Sequence, residues 1–266
     1  MMIAALAAVL FSSLGPGPAH AAPRHLVLLG GGDYSEAAMA RFALWSGGPS
    51  GRVLFIPWAS AEPEDYLKEF KDALGTSTAP AVAVAPTTAA FAAGRAEFYA
   101  RLASATAVFF CGGDQNRIAE FLKREPGVRA ALHERYQGGV LFSGTSAGTA
   151  VMSELMLTGE GDPTALDGRK VGTDRGLGLL PGAILDQHFL VRQRENRLFG
   201  AVLSHPELLG LGIDADAALA VTDEGRAEVV GPGQVMSVRA DGPGRLSVEL
   251  MTSGRSWDLA PSARRP

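Results

Sequence analysis

The chain of 266 residues is 47% hydrophobic and 20% charged, carries a formal net charge of −4, and contains a single cysteine. Such a length suffices for one sizeable α/β unit with at most a small appendage. The acidic balance excludes the basic footprint of a nucleic-acid or anionic-membrane binder, and a lone Cys111 excludes an intramolecular disulfide.

Residues 1–21 read MMIAALAAVLFSSLGPGPAHA, apolar from Ile3 to Leu14 and ending in Ala19-His20-Ala21, the small-residue spacing that a signal peptidase needs. The apolar run falls short of the ~18 residues of a membrane span. A signal peptide is expected over residues 1–21, a single α/β domain over 22–259 and a disordered tail over 260–266. The mature protein is expected to be secreted or periplasmic, without a membrane segment.

From Leu26 the pattern strand, loop, helix repeats. Strands are expected at 26–29, 53–56, 81–85, 106–110 and 140–142, and helices at 35–45, 64–74, 91–102 and 117–123. Continuous apolar strands alternating with helices mean a mostly parallel sheet covered by helices on both faces. The loops Gly30-Gly31-Gly32-Asp33, Gly112-Gly113-Asp114-Gln115 and Gly144-Thr145-Ser146-Ala147-Gly148 then share the carboxyl edge of that sheet, where ligands gather. Neither GxGxxG nor GxxxxGK[ST] occurs at the three glycines, so close backbone packing is favoured over phosphate binding. A helix is expected over 149–155, a loop over 159–176, and a helix through Leu203. Short runs at 209–213, 219–222, 227–230, 235–238 and 246–250 look like antiparallel additions to the sheet.

The stretch 139–148, GVLFSGTSAG, organises the rest. A buried strand runs into GxSxG and then into a helix-compatible segment, which would present the Ser146 hydroxyl on a tight turn beside helix N–H groups suited to an oxyanion. The alternative is a glycine-rich loop that merely lets a helix start.

A nucleophilic serine needs a base, and five histidines are available. His20 leaves with the signal, His25 stands at the wrong end of its strand, His133 reads as a surface residue, and His205 precedes a proline at a helix end. His188 remains, in Asp186-Gln187-His188-Phe189 after an apolar run; the competing reading is a core histidine satisfied by Asp186. Arg192, Arg194 and Arg197 follow. They suggest carboxylate binding, or else a solvated charged face. No His, Cys and carboxylate cluster has metal-ligand spacing, and no cofactor or metal is called for.

The segments 112–115 (GGDQ), 144–148 (GTSAG), 176–182 (GLGLLPG), 186–189 (DQHF) with the spaced arginines, and 212–214 (GID) together resemble cyanophycinases. These belong to the serine peptidase family that also contains aspartyl dipeptidase E. The resemblance runs in consistent order from about Leu26 to Val221. It implies a fold like class I glutamine amidotransferases (flavodoxin-like), with serine in place of cysteine, C-terminal strands added, and a homodimer. It also implies an enzyme that cleaves cyanophycin, a poly-aspartate whose side-chain carboxyls carry arginine, into β-aspartyl-arginine dipeptides. By correspondence Ser146 is the nucleophile, His188 the base, and the N–H groups of Gly113 and Ala147 the oxyanion hole. The substrate pocket maps onto Gln115, Asp186, Gln187, Arg192, Arg194 and Arg197, with Asp186 able to pair with a substrate guanidinium and the arginines with carboxylates. One departure stands out: the glutamate that follows GID in the family is Ala215 here, and in an extended segment Asp214 and Asp216 would point to the opposite face. Alternatives are an aspartyl or isoaspartyl dipeptidase, or a catalytically silent relative that grips peptides rich in aspartate and arginine.

Overall fold

The computed structural model describes residues 23–75, 79–162, 164–222 and 224–259. The expected signal peptide and the expected C-terminal tail lie outside the described residues. The first half alternates as the apolar pattern predicts: β1 Leu26–Leu29, α1 Glu36–Trp45, β2 Arg52–Ile56, α2 Pro63–Leu74, β3 Ala81–Val84, α3 Phe91–Ser104, β4 Ala107–Phe110, α4 Gln115–Arg124, α5 Pro126–Gln137, β5 Leu141–Thr145 and the short α6 Ala147–Ala150. Local chemistry starts the helices. The Ser35 hydroxyl accepts from the Ala38 N–H at the head of α1, the Asp114 carboxylate accepts from the Asn116 N–H at the head of α4, and Pro63 and Pro126 open α2 and α5.

The second half comprises β6 Leu155–Gly161, β7 Val171–Arg175, β8 Ala183–Gln187, α7 Glu195–Ser204, β9 Leu209–Ile213, β10 Ala218–Val221, β11 Arg226–Val230, β12 Val235–Ala240, β13 Leu246–Met251 and β14 Ser256–Asp258. The main sheet runs β14-β11-β10-β1-β5-β4-β2-β3. Its β1, β5, β4, β2 and β3 are parallel, and β10, β11 and β14 add antiparallel. A second sheet, β13-β12-β9-β8, pairs β8 with β9 in parallel and β9, β12 and β13 antiparallel. The late strands thus divide between two sheets rather than all extending one, because the chain crosses between the sheets after β9, after β11 and after β13.

The two faces of β4 show why the parallel sheet is doubly covered. Phe109 packs among Phe42, Phe55 and Phe70, with ring centroids 4.2 Å apart for Phe70 and 5.6 Å for Phe42. Phe110, on the opposite face, meets Trp58 at 6.1 Å, which in turn lies tilted against Phe121 at 4.5 Å. All of these rings are fully or nearly fully buried.

Two expectations are corrected. The helix after Ser146 ends at Ala150, well before residue 155. The N–H groups of Leu177, Gly178 and Leu179 take the carbonyls of Val151, Ser153 and Met152, which a continuing helix would have used itself, and Leu177 and Leu179 are buried in the process. The expected loop over 159–176 holds instead the antiparallel pair β6 and β7, whose register shifts between Leu157 and Gly161. Thr158, Gly159, Glu160 and Gly161 break the apolar alternation at that irregularity and so hid the strand.

Candidate active site

Ser146 follows β5, a central strand of the main sheet, and takes φ 51° and ψ −111°, a left-handed φ that is unusual for a residue with a side chain. Surrounding structure enforces it. The single proton of the buried Thr149 hydroxyl lies between the carbonyls of Leu29 and Gly144, at 2.6 and 2.7 Å, and Gly144 sits so close to Gly148 that a Cβ would come within 2.4 Å of its carbonyl. Ala147 is the first residue of α6, so its N–H has no intrahelical acceptor and is available beside the serine, as the oxyanion assignment needs. Gly113, exposed and lining the same cavity, is the other residue assigned to that hole.

His188 comes from the other sheet, at the end of β8. Its Nε2 stands 3.0 Å from Ser146 Oγ, within hydrogen-bonding reach. The loop after β1 joins the two groups. Leu29 O accepts from Ser146 N at 3.1 Å, Gly30 O accepts from His188 N at 2.7 Å, and Gly30 and Gly31 bond onward to Ala217 and Asp216. Gly31, at φ 101°, backs directly onto the imidazole, and a Cβ there would fall 2.2 Å from the ring. The close backbone packing expected of the three glycines is this approach.

Burial holds the His188 imidazole down to a pKa of about 4, Arg192 and Arg194 add to the effect, and Asp214 and Asp216 oppose it. The ring is therefore neutral at ordinary pH, the state that can accept the serine proton. Around the pair lies a cavity of about 540 Å³. Its walls carry Asp33, Asp65 and Glu69 on one side of the charge balance and Arg192 on the other, with Tyr34 and Tyr66 between.

The six residues expected to form a substrate pocket are not equally placed. Arg192 is exposed and lines this cavity; together with Arg194 and Arg197 it also lines a neighbouring one of about 230 Å³ beside Gly159–Gly161 of β6. Asp186 is a correction. It is fully buried, accepts from Arg197 Nε at 2.6 Å, from Arg197 Nη2 and from Gln187 N at 2.8 Å, and has Arg194 Nη1 at 3.7 Å. Its oxygens are occupied by the protein, so it holds the arginines and offers nothing to a substrate guanidinium. Arg197, 8% exposed, is its partner rather than a free hook, and Arg194 donates to Gln187 O at 2.5 Å. Gln115 is buried and donates to Leu157 O at 2.8 Å, tying α4 to β6, and Gln187 is buried as well.

Of the other histidines, His25 stacks on Trp45 at 4.5 Å, and His205 caps the end of α7 near Glu207. His133 is half-buried with Nε2 against Leu177 O, so it is a structural residue and not a surface one.

Peptidase family S51 matches this chain over residues 26–229. The chain belongs to that family. The cyanophycinase of Synechococcus elongatus is 32% identical over 223 residues, 82% of this chain and 69% of the relative, and that of Geminocystis herdmanii is 31% identical over 216 residues, 80% and 79%. Among solved structures, a peptidase from an acI-B1 Actinobacterium aligns with a TM-score of 0.62 at 22% identity, over 89% of this chain and 97% of that one. A putative peptidase E protein from Listeria monocytogenes EGD-e aligns with a TM-score of 0.55 at 18% identity, over 80% and 99%. Those two show the fold. Together with the family match, the relatives make this chain a serine-type peptidase.

The S51 peptidase also brings to its cavity residues that sequence reading missed. Asp65 and Glu69 lie four apart on α2 and share a face, and Asp33 closes the glycine loop. The available signal was that α2 buries Phe70 while turning Asp65 and Glu69 outward, but no local pattern says toward what.

Proposed function

We propose that this S51 peptidase is an exported cyanophycinase-like enzyme that degrades cyanophycin to β-aspartyl-arginine dipeptides through an acyl-enzyme. The observation that carries the reading is a serine–imidazole pair at 3.0 Å inside a cavity walled by three carboxylates and one guanidinium. A substrate bearing both arginine side chains and free carboxylates finds partners of each sign there. In the first step Ser146 Oγ attacks the scissile carbonyl carbon as its proton passes to His188 Nε2. The carbonyl pair moves onto the oxygen beside the Gly113 and Ala147 N–H groups. Collapse breaks the C–N bond, and the imidazolium returns the proton to the leaving amine. Water, deprotonated by the same imidazole, then releases the acid.

Asp33, Asp65 and Glu69 take the guanidinium in this reading, the role Asp186 cannot play. Incubation with purified cyanophycin followed by mass analysis of the products tests it: β-aspartyl-arginine dipeptides are expected, and none from Ser146→Ala. Glu69→Gln is expected to raise KM for an arginine-bearing substrate about tenfold with little change in kcat, the scale of one lost charge-assisted contact. No product from the polymer, with free aspartate released from aspartyl or isoaspartyl dipeptides, would favour a dipeptidase instead.

Ala215 favours a second reading, a silent peptide-binding relative, because the position that supplies the family's acid holds a methyl group. Labelling of Ser146 by a fluorophosphonate decides between the two. Export is supported by the apolar run and the Ala19–Ala21 spacing, and a homodimer by the family resemblance. Light scattering of the purified protein reads the second directly.

A further inference from the structure

The imidazole of His188 needs something to orient it and to stabilise its cation, and the residue expected to do so is absent. Ala215 lies in a turn, not in an extended segment: Ala217 N donates to Asp214 O at 3.2 Å, Asp216 takes φ 62°, and the Ala215 methyl packs against Gly32. The expected pointing of Asp214 and Asp216 to a common opposite face therefore does not apply. Each carboxylate has its own task. Asp216 Oδ1 accepts from Asp33 N at 2.9 Å, on the side of the glycine loop. Asp214 Oδ1 accepts two N–H groups, from Leu190 at 2.9 Å and from Val191 at 3.0 Å.

Those two N–H groups belong to the tight turn that begins at His188. The turn is closed by Arg192 N to His188 O at 3.2 Å and Gln193 N to Leu190 O at 2.9 Å, with His188 at φ 46° and Gln193 at φ 52°. Two left-handed residues in one six-residue turn are strained and persist only when the surroundings impose them. Asp214 is the side chain that does the imposing, and it reaches across from the end of β9 in the strand next to β8.

We propose that Asp214 is the positioning residue that replaces the missing triad acid, capping the turn that aims His188 at Ser146 and supplying negative charge to the imidazolium without touching the ring. The charged groups around His188 are Arg192 and Arg194 from its own turn, Asp214 and Asp216 from the turn between β9 and β10, and, across the cavity, Asp33 of the glycine loop and Asp65 and Glu69 of α2. Of the two carboxylates that offset Arg192 and Arg194 at the ring, Asp214 contributes more than the exposed Asp216. The proposal rests on Ser146 and His188 acting as nucleophile and base.

The test is the rate of Ser146 labelling by a fluorophosphonate between pH 3 and 9, in the wild type, Asp214→Asn, Asp214→Ala and Asp216→Asn. This readout needs no substrate. Asn can accept the same two N–H bonds, so Asp214→Asn keeps the turn and removes only the charge. Its maximal labelling rate is expected to fall about tenfold, short of the ~10⁴-fold loss that follows removal of an acid in direct contact. Its acid midpoint is expected to move further down. Asp214→Ala also releases the turn and is expected to fall about 100-fold, within the range of a lost general base. Asp216→Asn is expected to shift the midpoint less than Asp214→Asn does. A wild-type rate and midpoint in Asp214→Asn would show that the carboxylate acts only as a backbone cap and would overturn the proposal. If Asp214→Ala fails to fold, Asp214→Asn carries the test alone. No labelling of the wild type, with the protein folded by circular dichroism, would overturn the nucleophile and base assignment itself.

Discussion

Ser146 and His188 both hold backbone angles that side chains avoid, and the strain is tied to what they do. A hydroxyl presented on a sharp turn must sit at positive φ, which costs of order 1–3 kcal/mol. Ser146→Gly removes that cost but adds roughly 0.5–1 kcal/mol of chain entropy to the unfolded state. Ser146→Gly is therefore expected to be inactive and more stable than Ser146→Ala by about 1 kcal/mol in urea denaturation, the residual after those two terms. Equal stability would mean the turn is not strained. The imidazole makes a second prediction. Because its folded pKa of about 4 lies below the ordinary value, the acid limb of kcat/KM is expected near pH 4 to 5 rather than near 6.5. The sign for stability follows: between pH 6.5 and 4 the unfolded chain takes up the proton first. The contribution of neutral His188 is thus full above 6.5 and lost as pH falls toward 4. A limb at 6.5 would mean the ring is wetter or better compensated than its position implies.

At the scale of elements, the connection between β8 and α7 is where the expected pocket and the observed one part. Reading 186–197 along the chain puts an acid, a histidine and three arginines in one cluster, and chemistry alone makes each a candidate contact. The structure sorts them by depth. Asp186 and Arg197 form a buried bidentate pair that fastens α7 to the end of β8, Arg194 caps the carbonyl of Gln187, and Arg192 alone of the three arginines is exposed, where it lines the cavity with the serine. Arg197→Ala removes the bidentate partner of a buried carboxylate and leaves it only Arg194 at 3.7 Å, so a loss of about 3 kcal/mol of stability is expected, the lower end of the range for broken buried pairs. Urea denaturation checks it. A raised KM with unchanged stability would return Arg197 to the substrate. Burial of this kind depends on how tightly α7 seats on the second sheet, through Leu198 and Val202 against Ile184 and Val238, and no spacing within 186–197 reports that.

At the scale of the molecule, the export reading predicts that the protein recovered outside the cytoplasm begins at Ala22, because Ala19 and Ala21 are the small residues that a signal peptidase accepts. N-terminal sequencing checks this, and an intact Met1 in that fraction would overturn it. Much of the rest was legible in the chain. The runs LVLL, AVFF and residues 140–142 are continuously apolar and lead into glycine-rich loops, so a doubly covered parallel sheet with three loops on one edge followed from local composition. The elbow was legible for the same reason, since GTSAG states its own steric demand within five residues. What the sequence could not decide was which late strand joins which sheet, where Asp214 points, and which polar groups end up buried. Those outcomes are set by side chains meeting across elements far apart in the chain. His188 reaches Ser146 only because β8 lies in a second sheet whose edge is stitched to the first through Gly30 and Gly31, and that long-range packing has no local signature.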